Sequence, residues 1–305
     1  GSHVCWFFPM LHPSYLLRKQ NDKKDGEAYV ESFARDIDDA LKYLASDEYR
    51  TPWIPSEEEQ LSGVTVQQSW GDEGLAEIKK QLDWFASQPS CSLDLETTGA
   101  RPYLKDTRVL ALSLGRWDRA YSFCIDHRES QWTEEEQKKL KALVLKFLLS
   151  YEGKVWAHNS KFEMEWLLWY FGGDLRVLFE TNWQDSMAQV YCLNEKARKS
   201  LEDRCLMMMG VNVKAIVPTD RGRLDHEKLE RVLRYNAFDT KYTHKLAELQ
   251  QKALKARGLL DVYRDQNRRV KSLAWMQAKG WQPDFENVQA FAKKMSEEAE
   301  QIEAK

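Results

Sequence analysis

The chain has 305 residues, 43% of them hydrophobic and 30% charged, with a formal net charge of −3. Such a length holds one large domain or two modest ones, and so even a charge balance excludes nucleic-acid binding driven by global charge, leaving local patches and metal ions. No apolar run approaches the ~18 residues of a membrane span, and five scattered cysteines without a CxxC spacing argue for a reducing compartment and against a disulfide framework or zinc site.

Gly1-Ser2-His3 reads as a tag-cleavage scar and Val4 enters in mid-pattern, as in a piece of a larger protein. Val4–Met10 reads as a strand, and a helix from Ala28 to Leu44 carries Phe33, Ile37 and Leu41 on one face. Residues 51–62, with two prolines and an acidic run, read as a linker. From Val64 the pattern alternates. A strand at 64–67 precedes a helix at 72–87 with Leu75, Ile78, Leu82 and Phe85 in helical register. Strands follow at 91–97, 108–115 and 119–124, the last two forming a hairpin around Trp117-Asp118. Thr133 and Glu136 make a capping box for a helix that runs to Ser150. Next come a strand at Lys154–Ala157, a helix at 160–171, a strand near 176–179, and helices near 185–192, 200–209 and 226–256. From residue 261 the chain is helical and increasingly charged, ending in a solvated helix. This order predicts an α/β fold with a mixed sheet flanked by helices.

Asp94 and Glu96 stand two apart in Ser-Leu-Asp-Leu-Glu-Thr-Thr-Gly. On a strand they share one face, with Leu93 and Leu95 on the other. Paired acids repel and are costly to bury without a cation between them, and a hard divalent metal takes oxygen ligands. A solvated strand end is the alternative. Val-Trp-Ala-His-Asn-Ser-Lys-Phe-Glu puts His158 and Asn159 at a strand end and Glu163 early in a helix. The helix dipole alone accounts for such an acid, and His158 and Asn159 serve equally as cap and turn residues. Tyr235 and Asp239 are i and i+4 on a helix and can address one point. Asp185 reads as a helix cap.

Taken in order, Asp-x-Glu, Asn-x-x-x-Glu and Tyr-x-x-x-Asp resemble the three motifs of the four-carboxylate (DEDD) 3′→5′ exonucleases, tyrosine subclass. Position 234, where the histidine subclass has His, is Arg234. Residues 64–260 are similar to the proofreading exonuclease domain of family A (polymerase I-like) DNA polymerases, through Asp-Leu-Glu-Thr-Thr-Gly-Ala-Arg-Pro-Tyr, His-Asn-Ser-Lys-Phe, Asp185-Ser-Met and Tyr-Asn-Ala-Phe-Asp. The resemblance implies a ribonuclease H-like sheet and hydrolysis of DNA from a single-stranded or frayed 3′ end with two Mg²⁺ or Mn²⁺ ions. Asp94 would be shared between the ions, Glu96 and Asp239 would complete the site of one, and Glu163 would hold the other through water. Tyr235 would orient the attacking water. Thr97, His158, Asn159 and Phe162 would line the cleft, and Lys196, Arg198, Lys199, Arg221 and Arg223 would contact phosphates. The family most often has Asp where this chain has Glu163, which keeps the charge and adds one methylene. Residues 4–50 resemble the C-terminal end of a family 4-type uracil-DNA glycosylase through Met-Leu-His-Pro-Ser-Tyr-Leu-Leu-Arg, without that fold's catalytic motifs. Residues from about 270 resemble the opening helices of a family A polymerase domain, so that the exonuclease unit is expected at 63–260 and the start of a truncated polymerase domain at 261–305. A cytoplasmic protein of a bacterial or phage-infected cell is the expectation, with a polymerase domain in the same full-length chain and no membrane partner. A ribonuclease D-like exoribonuclease and a catalytically silent DNA-binding module are the alternatives.

Overall fold

The computed structural model describes residues 10–19, 26–45, 57–211 and 222–303. Six strands, β1 (Val64–Val66), β2 (Ser90–Thr97), β3 (Val109–Gly115), β4 (Ala120–Cys124), β5 (Lys154–Ala157) and β6 (Trp183–Asp185), form one sheet in the order β1-β4-β3-β2-β5-β6. The centre is an antiparallel β2-β3-β4 meander. The outer strands join it in parallel, β1 on β4 and β5 and β6 beyond β2. The expected hairpin is present: Arg116 and Arg119 exchange backbone hydrogen bonds around Trp117-Asp118.

The helices are α1 (Pro13–Lys19), α2 (Gly26–Ala45), α3 (Glu57–Leu61), α4 (Gly71–Ala86), α5 (Glu134–Ser150), α6 (Ser160–Tyr170), α7 (Arg176–Phe179), α8 (Ser186–Leu193), α9 (Leu201–Met209), α10 (Leu229–Ala256), α11 (Leu260–Lys279) and α12 (Phe285–Glu303). Helix α5 begins with the predicted capping box, Thr133 Oγ1 accepting from the Glu136 amide and Glu136 Oε2 from the Thr133 amide.

The two faces of the sheet differ in chemistry. On one, Leu93 and Leu95 of β2 join Leu112, Leu114, Tyr121 and Phe123 in an apolar core with Ile78 and Phe85 of α4, Leu140 and Val144 of α5, and Met164 and Leu167 of α6. Strand alternation sends Ser92, Asp94 and Glu96 to the other face, beneath the long helix α10. Small hydroxyl side chains line that contact. Ser92 Oγ lies 2.6 Å from the Thr240 carbonyl and 2.9 Å from that of Gly115, and Ser113 Oγ donates to the Asn236 carbonyl at 2.9 Å. Gly115 permits the closest approach, since a Cβ there would stand 2.7 Å from the Thr240 carbonyl carbon and Cβ. Lys241, buried on α10, donates to the carbonyls of Gln60 and Ser62 and fastens the entry to β1.

Four expectations need correction or qualification. Residues 176–179 are helical, not a strand: Asp174 accepts from the Arg176 amide and guanidinium and closes a helical turn. A four-residue apolar run does not itself distinguish helix from strand, and the sheet takes Trp183–Asp185 instead. Helix α10 begins at Leu229, not 226, after a short 3₁₀ turn at Leu224–His226. Glu129 Oε2 accepts the Leu229 amide and satisfies the new start. On α2 the buried positions among the described side chains are Ala40 and Tyr43, whereas Leu41 of the expected face is 61% exposed. The expected strand at Val4–Met10 and most of the expected linker lie outside the described residues. Helix α11 packs along the sheet edge, with Tyr263 accepting the Asp185 amide and Asn267 donating to the Trp183 carbonyl. Helix α12 buries no residue.

Two measurements test this packing. Gly115→Ala should cost about 1–3 kcal/mol in urea unfolding, the usual penalty for overpacking, and should lower activity by displacing α10. His244, buried on α10 with Nε2 3.0 Å from Ser90 Oγ, is pushed down to about 4, chiefly by burial. Its folded value lies below the unfolded one, so the unfolded chain takes up the proton first. The stability this group contributes is full above about pH 6.5 and drains as pH falls toward 4. Unfolding followed across that window should show a shallower acid slope in His244→Gln.

Candidate active site

Asp94 and Glu96 leave the β2 backbone on the α10 side, and Asp239 comes down from α10 to meet them. Each offers a carboxylate oxygen within 4.8 Å of the other two. A register shift in the β2–β3 ladder between Glu96 and Thr97 marks the spot, as bulges often do beside active sites. Glu163 approaches from α6. It is 2% exposed, and its Oε2 has no hydrogen-bond partner. Burial first, then the charge of Asp94, with Asp185 and Glu96 behind it, pushes the Glu163 carboxyl well above the usual carboxylate range.

Such a group of acids fits divalent metal on the chemistry of its donors. All are hard oxygens, as Mg²⁺ and Mn²⁺ prefer, and the buried bare oxygen of Glu163 is costly in the absence of a cation. Asp94, Glu96 and Asp239 would hold one ion, and Glu163 would serve a neighbouring one.

Asn236, to which the sequence reading assigned no role, is the main addition. It is fully buried and donates from Nδ2 to Asp94 Oδ2 at 2.7 Å, while its Oδ1 accepts from Ser122 Oγ at 2.9 Å. The Ser122 hydroxyl thereby fixes the amide's orientation, and the amide fixes Asp94. Its signal was its position three residues before Asp239, on the same helical face.

Asp185 is a cap, as expected, and caps two helices at once. Its Oδ1 accepts from the Ala188 amide at the start of α8, and its Oδ2 from the amide and hydroxyl of Ser160 at the start of α6. Asn159 turns the chain between β5 and α6 with φ at +80°, a left-handed conformation that asparagine tolerates better than most residues. That tight reversal sets Glu163 in the first turn of α6.

The remaining predicted residues have varied surroundings. Tyr235 is 3% exposed in an apolar cluster with Cys205, Val211, Phe238 and Tyr242, one turn before Asp239. Thr97 donates to the Gly99 carbonyl. Phe162 packs partly buried against the core, its ring 6.0 Å from that of Trp166. His158 does not present a free ring: Nδ1 is 2.8 Å from Ser186 Oγ and Nε2 is 2.6 Å from the Lys199 carbonyl. Lys196, Arg198 and Arg223 are exposed, Lys199 is tied to the Glu195 carbonyl, and Arg221 lies outside the described residues.

Residues 71–255 match the family described as 3′-5′ exonuclease. The chain belongs to that family. Its enzymes use divalent metal ions, in keeping with the acidic cluster. Among solved structures, Brucella melitensis NrnC with bound Mg²⁺ is similar at 16% identity and a TM-score of 0.50, over 64% of this chain and 88% of its own. A nuclease in its apo form is similar at 18% identity and a TM-score of 0.50, over 71% and 93%. Escherichia coli RNase D, an exoribonuclease involved in structured RNA processing, follows at 16% identity and a TM-score of 0.49, over 69% and 50%. The first two likenesses concern the fold, and the six-stranded mixed sheet of this exonuclease is ribonuclease H-like. No curated protein matches the sequence. No helix among the described residues is long and apolar enough to cross a membrane.

Removing the Asn236 amide should loosen Asp94 without unfolding the chain. Asn236→Ala should raise the Mn²⁺ concentration for half-maximal activity by about 10–100-fold, the usual cost of losing a partner behind a metal ligand, with circular dichroism unchanged.

Proposed function

We propose that this exonuclease degrades DNA, removing nucleotides from a single-stranded or frayed 3′ end with two Mg²⁺ or Mn²⁺ ions, as the proofreading part of a family A polymerase. The observation that carries the reading is the convergence of Asp94, Glu96 and Asp239 on one point, with Glu163 outside that group of three but buried within the influence of the Asp94 charge. The series of motifs from Asp-Leu-Glu-Thr-Thr-Gly to Tyr-Asn-Ala-Phe-Asp, and the polymerase-like text from residue 270, support DNA as the substrate and a polymerase domain in the full-length protein. The His-Pro-Ser segment supports, in the same way, a glycosylase-derived N-terminal remnant.

The ions, when bound, supply charge stabilisation at the attacked phosphate and acidify the attacking water. The protein's part is to hold and orient. Asp94 would bridge the two ions, held at the correct angle by Asn236. Glu96 and Asp239 would complete one ion's shell from the strand and the helix, so that the ion's position reports how α10 sits on the sheet. Glu163 would reach the second ion through water, from the first turn of α6. Tyr235 would orient the attacking water by hydrogen bonding. Thr97, Asn159 and Phe162 would line the cleft, with Phe162 or a nearby Trp stacking on a base.

The test compares 5′-labelled DNA and RNA strands of one sequence with Mg²⁺ or Mn²⁺. A DNA ladder shortened from the 3′ end is expected, lost with chelator and reduced to background in Asp94→Ala. Preference for the RNA strand would replace this reading with the ribonuclease D-like one. Strand binding without any ladder would leave a silent DNA-binding module.

A further inference from the structure

Tyr103 and Trp169 form an aromatic pair in solvent, one on the loop that follows β2 and the other on α6. Their rings stand 6.1 Å apart, edge to face, and they are 48% and 55% exposed, with Leu104 beside Tyr103 at 54%. Single exposed apolar residues are ordinary, but several held together on a stiff support are not.

The support is residues 98–108, which leave the catalytic strand β2 directly after Thr97. Two hydrogen bonds close the neck of this loop, Thr98 N to the Arg108 carbonyl at 3.0 Å and Arg108 N to Thr98 Oγ1 at 2.8 Å. Inside it, Thr107 Oγ1 lies 2.8 Å from the Leu104 carbonyl and 3.2 Å from that of Pro102. Arg101 then reaches across to Glu165 on α6, Nη1 to Oε2 at 3.2 Å, and that carboxylate is 2% exposed. Glu165 and Trp169 are i and i+4 on α6, so one helix face both fastens the loop and receives its aromatic ring. The loop carries Arg101, Lys105, Asp106 and Arg108, with Arg101 paired to Glu165 and Arg108 3.9 Å from Asp126.

Both parts of this patch continue from the acids. Glu96 precedes the loop on β2, and Glu163 lies six residues before Trp169, roughly 9 Å along α6 at the usual helical rise. A strand whose terminal phosphodiester sits at the acids, and which runs from there over residues 98–108, would bring its next few nucleotides to the rings. We propose that Tyr103 and Trp169, flanked by Arg101 and Lys105, are a stacking platform for bases upstream of the 3′ end of a single-stranded DNA substrate. The proposal rests on the exonuclease reading and names the part of the substrate that this surface holds. Stacking on an aromatic face is indifferent to base identity, which suits an enzyme that must shorten any sequence.

The full chain is tested with two probes. One is a fluorescein-labelled deoxyoligonucleotide, whose binding is followed by anisotropy in the Asp94→Ala background so that no strand is consumed. The other is the p-nitrophenyl ester of thymidine 5′-monophosphate, which has no upstream bases, turned over by chains with Asp94 intact. Trp169→Ala and Tyr103→Ala should each weaken oligonucleotide binding about ten-fold, within the range seen for loss of one stacked base, and leave ester turnover unchanged, while Tyr103→Phe binds normally. Abasic sites upstream of the 3′ end should weaken binding to the chain that retains Trp169 and have little further effect on Trp169→Ala. Equal oligonucleotide binding with and without Trp169 would overturn the platform, as would a parallel loss of ester turnover, which would mark Trp169 as part of the fold. If the unsubstituted chain turned over neither ester nor strand, the exonuclease reading would fail, and the binding comparison would still settle the platform.

Discussion

The contact between α10 and the sheet is the constraint on which the site depends. Asp94 and Glu96 belong to a strand and Asp239 to a helix far along the chain, so their separation is set by how closely that helix lies on that strand. Apolar side chains would hold the two layers near the usual helix-to-sheet spacing. Serine hydroxyls bonded directly to helix carbonyls, with a glycine where the backbones come closest, bring them nearer and leave little freedom to slide. Thr240, whose carbonyl receives Ser92, is the next residue after Asp239, so the tightest point of the seam adjoins the helical acid.

The price of the arrangement is electrostatic. Gathering carboxylates in one place opposes folding, and the apolar face opposite supplies the compensation. The same logic explains why the polar groups around the acids are so fully committed to one another. Asn236 spends both ends of its amide on Ser122 and Asp94, and His158 spends both ring nitrogens on the protein. Groups left loose there would compete with a cation for the carboxylates, or with a nucleotide for the cleft.

How much of this was legible in the sequence follows from the range of each signal. The β2 acids were readable because a strand has a period of two, and α4 and α5 because of an apolar stripe in one case and a capping box in the other. Those are local patterns. Residues 176–179 misled because a short apolar run fits either element until its ends are known, and the end here was closed by Asp174. Asn236 was printed inside a recognised motif yet had no visible role, since its partners lie more than a hundred residues earlier in β2 and β4. The serine seam was invisible for the same reason: Ser92, Ser113 and Ser122 are unremarkable singly, and only the sheet stacks them under one helix. His158 shows the converse, a residue whose motif invited a substrate role and whose ring is engaged elsewhere.

The double cap made by Asp185 bears on how such a centre changes over time. With both oxygens receiving donors at the heads of α6 and α8, this acid is committed to the backbone rather than to the group of Asp94, Glu96 and Asp239. It also fixes the start of α6 by hydrogen bonds that need no ion. The backbone beneath Glu163 is therefore registered before any metal arrives, and a carboxylate of different length can be exchanged at that position without moving the scaffold. Drift between aspartate and glutamate there becomes a matter of side-chain reach alone, a local adjustment of metal geometry on a framework indifferent to it.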